Sequence, residues 1–185
     1  MPKIKFSLLS IIGGLTLLSS SAYAGVDAEV SYILNTLLFL IGGFLVMWMA
    51  AGFAMLESGL VTSKSVATIA AKNIGLYSIA GLMFWLVGYN LAYGIPEGGF
   101  IGSFLPWSDA SAVDTGYSDG SDWFFQMVFC ATTCSIVSGT LAERIKIWPF
   151  FLFCAILAGV IYPIEMGWQW GGGHLAAAGF SDFAG

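Results

Sequence analysis

Three aromatic residues, Phe125, Phe129 and Trp170, are candidates for contact with a cation. Phe125 and Phe129 are four residues apart in WFFQMVF, so they share one face of a helix. Trp170 precedes three consecutive glycines, and Asp182 follows it by twelve residues. An aromatic face attracts a cation by about 2 kcal/mol or more when the pair is desolvated. The spacing of the two phenylalanines is typical of core or lipid-facing packing, whereas Trp170 beside the glycine run predicts a pit in which a cation could be held.

Each polar or aromatic residue near the end of the chain also has a structural explanation. Trp168 and Trp170 would suit the aromatic belt of a membrane interface. Asp182 could cap a helix beginning at Phe183, which the sequence supports as well as a role in charge recognition. His174 is the only histidine and has no partner at metal-ligand spacing. We therefore predict a structural or solvated histidine, and neither a metal site nor a cofactor.

The elements that position these side chains are predicted to be membrane-spanning helices. The 185-residue chain is 58% hydrophobic and only 9% charged, whereas about a quarter of the residues in a soluble domain are charged. The composition predicts an all-α polytopic membrane protein. Four segments have the roughly 20 apolar residues that a bilayer crossing needs, at about 30–56, 66–93, 123–141 and 147–168.

The first residues are typical of a secretory signal peptide. Two lysines precede a short apolar stretch, and Ala22-Tyr23-Ala24 offers a small-residue cleavage site before Gly25. We therefore predict a signal peptide over 1–24 and a mature N-terminus outside the cytoplasm. An uncleaved first helix is the alternative.

The basic residues predict the orientation of the spans. Lys64, Lys72, Arg144 and Lys146 lie in or beside the loops after the first and third spans, which are therefore predicted to be cytoplasmic. The loop over 94–122 is acidic and contains no Lys or Arg, so it is predicted to face outside, as is the C-terminal stretch. The predicted location is the inner (plasma) membrane.

Charged and amide side chains near the span ends have modest predicted roles. Glu57 and Glu143 are predicted to anchor the interface or pair loops. Lys72 is predicted to snorkel to the interface. Asn73 and Asn90 are candidates for hydrogen bonds between helices.

The cysteines and the overall composition argue against several classes of protein. Cys130, Cys134 and Cys154 lie in apolar runs and are predicted to be small core residues, since no further ligand completes a metal set around Cys130 and Cys134. No basic patch predicts nucleic-acid binding. No Ser/His/Asp set or phosphate-binding glycine loop is present, so we predict that the protein is not an enzyme.

Three stretches resemble the ammonium transporter (Amt/Mep/Rh) family. They are AGFAMLESGLVTSKS, FFQMVFCATTCSIVSGTLAERIK and WGGGHLAAAGFSDFAG, in this order and at matching spacing. The resemblance implies about eleven membrane helices in two inverted halves, a site between the halves, and a homotrimer. This sequence would hold four helices plus the start of a fifth, as the first half of that fold, and so is predicted to be truncated.

The resemblance also assigns roles to the aromatic residues. Phe129 resembles the outer gate, with Phe125 one turn before it, and Trp170 resembles the tryptophan that faces an external ammonium site. Asp182 resembles the acid that supports that site. The twin pore histidines and the serine of the outer site fall in parts that this sequence lacks, and His174 is neither of them.

The function implied by the resemblance is ammonium or ammonia transport across the lipid bilayer. Ammonium would be recruited at the external aromatic site, and ammonia would be conducted through an apolar pore. An ammonium sensor of the same fold and an inactive structural membrane fragment are the alternatives. A cytoplasmic nitrogen-regulatory protein is the partner that the family implies, and the docking tail for it is absent from this sequence.

Overall fold

The computed structural model describes residues 27–183, and the predicted signal peptide over 1–24 lies outside them. The described elements are helices, with no strand among them, as the predicted fold class requires. Four described helical segments are long and apolar enough to cross a membrane. We call them the first to fourth spans: Ala28–Leu60, Ser63–Tyr93, Asp119–Leu141 and Ile147–Ala177.

Two of the spans are not uniform α-helices. The second begins with a 3₁₀ turn over Ser63–Ser65, continues as Val66–Met83, widens into a π-helical turn and ends as Tyr89–Tyr93. The fourth runs Ile147–Ile156, a π-helical turn and Tyr162–Gln169, followed after a break by a short helix, His174–Ala177. The π-helical turns are Phe84–Gly88 and Leu157–Ile161, and a further 3₁₀ turn lies at Val113–Thr115.

The two π-helical turns lie against each other in the middle of the bundle. Pro163 follows the second of them, and because proline has no backbone N–H it removes a regular helical hydrogen bond at this point. Gly88 lets the turns approach closely, since a Cβ there would be 3.0 Å from the Ala158 carbonyl and 3.1 Å from Pro163.

The core lies between the second, third and fourth spans. Leu76, Phe84 and Phe150 are fully buried, and Val128 is 1% exposed. The three cysteines are free and buried in the same core, as predicted for small packing residues.

The first span contacts the bundle along one side only. Gly42 and Gly43 allow the rings of Phe125 and Phe124 to reach its backbone, as small residues do between membrane helices. A Cβ at Gly52 would meet no described atom within 4 Å, so Gly52 has no such contact. Trp48 is 74% exposed.

Glu57 and Lys72 correct the prediction of interfacial roles. Lys72 Nζ lies 3.1 Å from Glu57 Oε2, and both side chains are buried. Lys72 also donates to the Ser138 carbonyl at 3.0 Å, and Asn73 donates to Glu57 at 3.2 Å, as predicted for an amide that joins helices. This buried network connects the first three spans, because burying a charge requires a partner.

The connections gather at the two ends of the bundle. At one end, Glu143 accepts hydrogen bonds from the backbone and side chain of Thr62, at 3.2 and 2.5 Å, which joins the loops after the first and third spans. At the other end, the loop after the second span contacts Gly172 and His174 in the last part of the fourth span. Asn90 donates to the carbonyls of Leu105 and Pro106 in this loop, each at 3.0 Å. Its side chain therefore holds the loop and does not join two spans, contrary to the prediction.

Candidate functional site

Phe125, Phe129, Trp170 and Asp182 line one cavity of about 630 Å³. Two of them lie on the third span, and two follow the helix that ends at Gln169. The structure therefore brings together all four residues that the sequence predicted to form or support a site. The other lining residues are Gln126, Tyr162, Glu165, Met166, Trp168, Gln169, Leu175 and Phe180.

The two phenylalanines belong to a row of aromatic rings. Phe125 and Phe129 meet edge to face, with ring centroids 5.1 Å apart. Phe39 of the first span lies 5.3 Å from Phe125, and Tyr117 of the loop lies 4.9 Å from Phe39. Since edge-to-face pairs stabilise by about 0.5–1.5 kcal/mol beyond area burial, the first span and the loop together fix the orientation of Phe125.

The pKa of Tyr117, the last ring of this row, is raised by its surroundings. Burial raises its pKa above the ordinary value of 10.0, and the nearby carboxylates of Asp122 and Asp119 raise it further. The phenol is therefore neutral at physiological pH and adds no negative charge of its own.

The glycine run after Trp170 anchors its position. A Cβ on Gly171 would collide with the Ala92 carbonyl of the second span, so only glycine fits. Gly172 has a φ of 74° and accepts a hydrogen bond from the Gly98 amide at 3.1 Å. The chain is thus fastened to the loop after the second span, which leaves Trp170 at the cavity with half of its surface exposed.

His174 has a structural position beside the site and does not line the cavity. Its ring stacks on Phe100 with centroids 4.3 Å apart and meets Trp168 edge to face at 4.8 Å. Trp168 in turn donates its indole N–H to the Phe100 carbonyl at 2.9 Å. His174 Nδ1 is buried and has no hydrogen-bond partner among the described residues.

The sequence reasoning missed Gln126, which lines the cavity, and Asp122, which is hydrogen-bonded to it. Asp122 was predicted to lie in the outer loop, but the third span already begins at Asp119, and Asp122 is only 5% exposed. It accepts hydrogen bonds from the Tyr89 phenol at 2.7 Å and from Gln126 Nε2 at 3.1 Å. The spacing of Asp122 and Gln126, four residues apart on one helix, was the available signal.

The described lining of the cavity is acidic. Glu165, which the sequence reasoning also missed, and Asp182 contribute carboxyl groups, and none of the described lining residues is Lys or Arg. No group of three or more His, Cys, Asp or Glu suited to a metal occurs among residues 27–183. Carboxylates, an exposed indole and two phenyl rings are together suited to a small monovalent cation that keeps part of its hydration.

Comparisons with known proteins agree on one family. The model of the Ammonium Transporter Family matches residues 37–185. The chain is 42% identical over 146 residues to the ammonium transporter Amt2 of Archaeoglobus fulgidus, covering 76% of this chain and 30% of that protein. It is 34% identical over 177 residues to an ammonium transporter of Aquifex aeolicus, covering 92% and 41%. A solved sensor Amt protein superposes with a TM-score of 0.73 and 32% identity, covering 82% of this chain and 39% of the other.

Proposed function

Because this chain belongs to the Ammonium Transporter Family, we propose that it forms the first part of a protein that carries ammonium or ammonia across the membrane. The observation that carries this proposal is the convergence of Phe125, Phe129, Trp170 and Asp182 on one cavity. The chain spans 30% and 41% of the two relatives described above, so transport is proposed for the whole protein.

The cavity is proposed to recruit ammonium from outside the cell. The indole of Trp170 and the ring of Phe129 attract the cation through their π faces, and Glu165 and Asp182 raise its local concentration. Loss of water disfavours the charged form of an ammonium ion, as it does for a buried lysine, so the ion entering the apolar pore gives its proton to water at the mouth of the cavity. Neutral ammonia then enters the apolar pore beyond Phe129, while the ion does not.

The distribution of basic residues supports an external position for the cavity. Lys64, Arg144 and Lys146 lie at the end of the bundle where the loops after the first and third spans meet, whereas the loop after the second span contacts the segment around Gly172. Positive residues favour the cytoplasmic side. We therefore place the cavity outside, in the inner (plasma) membrane, with the signal peptide directing the mature N-terminus outward.

The whole protein is proposed to assemble as a homotrimer and to respond to a cytoplasmic nitrogen-regulatory protein. Both features come from the family resemblance. Blue-native electrophoresis of the protein from the complete reading frame tests the first, and co-purification with the regulator tests the second.

A second candidate function is ammonium sensing by the same fold. The likeness to the sensor Amt protein favours it, at 32% identity. A signalling domain encoded downstream in the reading frame, together with ammonium-dependent activity of that domain and no uptake, would support the sensor over the transporter.

Uptake of radiolabelled methylammonium tests the transport proposal. The protein from the complete reading frame is expressed in cells that lack ammonium transport, beside Trp170→Leu and Phe129→Ala. Both variants are expected to change the concentration dependence of uptake, because each removes one cation–π surface. Unchanged concentration dependence and selectivity in both variants, at equal protein levels, would refute the site.

A further inference from the structure

Gln126 lies in the aromatic cavity and carries a neutral amide group, which can accept hydrogen bonds. It stands between Phe125 and Phe129 in the sequence and lines the same cavity. A ring face attracts a cation without requiring an N–H group, whereas an amide oxygen also accepts a directional hydrogen bond from an N–H donor. Ammonium has four N–H donors, and an alkali cation has none.

The orientation of the Gln126 amide follows from its partner. The NH₂ group of Gln126 donates to Asp122 Oδ1 at 3.1 Å, so the amide nitrogen faces Asp122. The Oε1 atom then points away from Asp122. It accepts no hydrogen bond from a described residue, and it is not one of the buried unpartnered oxygens, so it is open to a solute.

Asp122 is itself held firmly. Tyr89 of the second span donates to its other carboxylate oxygen at 2.7 Å, and Asp122 forms no ion pair with a described residue. Both carboxylate oxygens are therefore occupied by neutral donors, and the position of Gln126 is determined by two spans together. Residues that hold a binding group in place before the ligand arrives reduce the ordering that binding requires.

We infer that Gln126 Oε1 is a hydrogen-bond acceptor for the substrate cation in this cavity, and that Asp122 is a positioning residue that orients it. This inference rests on the proposed ammonium site and adds to it a basis for selectivity. The rings attract cations without directional preference, and Gln126 adds a neutral, directional acceptor that an N–H group fits.

Gln126→Leu tests the inference because it removes the oxygen and keeps the size of the side chain. Uptake of methylammonium is measured in the protein from the complete reading frame, with Cs⁺ as a competitor that has no N–H. The Michaelis constant for methylammonium is expected to rise about tenfold, as for the loss of one hydrogen bond to a charged group. The inhibition constant of Cs⁺ is expected to change less than twofold.

Thr140→Val is the control on the same span. Thr140 donates its hydroxyl to the Val137 carbonyl at 2.8 Å and does not line the cavity, so this loss of a polar group should leave the Michaelis constant unchanged. Asp122→Leu should reproduce most of the effect of Gln126→Leu, and the double variant should show no further rise. If Cs⁺ does not compete with the unaltered protein, the two variants decide: a rise in the Michaelis constant of Gln126→Leu alone supports the inference, and an equal rise in Thr140→Val overturns it.

Several outcomes would overturn the inference and leave the transport proposal intact. These are an unchanged Michaelis constant in Gln126→Leu, or an equal rise for methylammonium and Cs⁺, which would indicate general damage. Fully additive effects of Asp122→Leu and Gln126→Leu would overturn the positioning role. Absence of uptake by the unaltered protein would instead refute the proposed function.

Discussion

Lys72 and Glu57 form an ion pair of 3.1 Å between the second and first spans, with side chains 5% and 2% exposed. Two further groups surround the ammonium of Lys72. It donates to the Ser138 carbonyl of the third span, and it lies 5.1 Å from the ring centroid of Phe150 in the fourth. One buried cation thus contacts all four spans, which makes it a point where their relative positions are fixed.

Removing one partner of this pair should destabilise the bundle strongly. Glu57→Gln or Lys72→Met alone should lower the free energy of unfolding by about 3–5 kcal/mol, because each leaves a buried charge unpaired. The double variant should lose less than the sum of the two. Denaturant unfolding of the detergent-purified protein measures this, with exposed Lys64→Met as a control expected to change stability by about 0.5 kcal/mol or less. Additive losses would contradict the pairing.

The glycine run after Trp170 offers a test of backbone approach. Gly171→Ala places a Cβ against the Ala92 carbonyl, which cannot move without shifting the second span, so we expect loss of folded protein. Gly172→Ala meets no atom within 4 Å and faces only the strain of a φ of 74°, about 1–2 kcal/mol. Yields after size-exclusion chromatography compare the two. Equal yields would show that Ala92 does not limit this turn.

Helical spacing alone could predict the part of the site that lies on one element. Phe125 and Phe129 are four residues apart, and so are Asp122 and Gln126, so all follow from the periodicity of one helix. The composition likewise predicts the membrane class, because the spans are apolar over lengths that suit a bilayer.

Contacts between distant residues could not be predicted in the same way. Tyr89 and Asp122 are 33 residues apart, and Lys72 reaches Ser138 across 66. Nothing local to Lys72 distinguishes a buried ion pair from a snorkelling lysine, since the partner depends on how the helices are arranged. The same holds for Phe39, whose contact with Phe125 depends on the placement of the first span.

The lowered pKa of Glu143 predicts a pH-dependent contact at the end of the bundle opposite the cavity. Hydrogen bonds from the Thr62 side chain, from Ser65 and from the Thr62 amide hold the pKa of the Glu143 carboxyl below its ordinary 4.5, and Lys64 adds to this. Because the folded pKa is lower than the unfolded one, the contact is complete above pH 4.5 and is lost as the pH falls through the folded pKa. The Thr62 amide shift in NMR spectra should therefore be constant near neutrality and titrate only in acid.

Glu143→Gln is the control for this titration. The amide cannot ionise, so the acid step at Thr62 should disappear. A step that persists in this variant would assign the titration to another group.

The close contact between Gly42 and Phe125 predicts that the first span affects ammonium recruitment although it does not line the cavity. A Cβ at Gly42 would be 2.9 Å from Phe125 Cε2, so Gly42→Ala must displace that ring from its contact with Phe129. If the cavity recruits ammonium, the Michaelis constant for methylammonium should rise about two- to fivefold, the equivalent of about 0.5–1 kcal/mol of cation–π attraction. Gly52→Ala on the same helix meets nothing within 4 Å and should leave it unchanged. Equal Michaelis constants in the two variants would mean that the orientation of Phe125 does not matter for recruitment. The aromatic contribution would then belong to Phe129 and Trp170 alone.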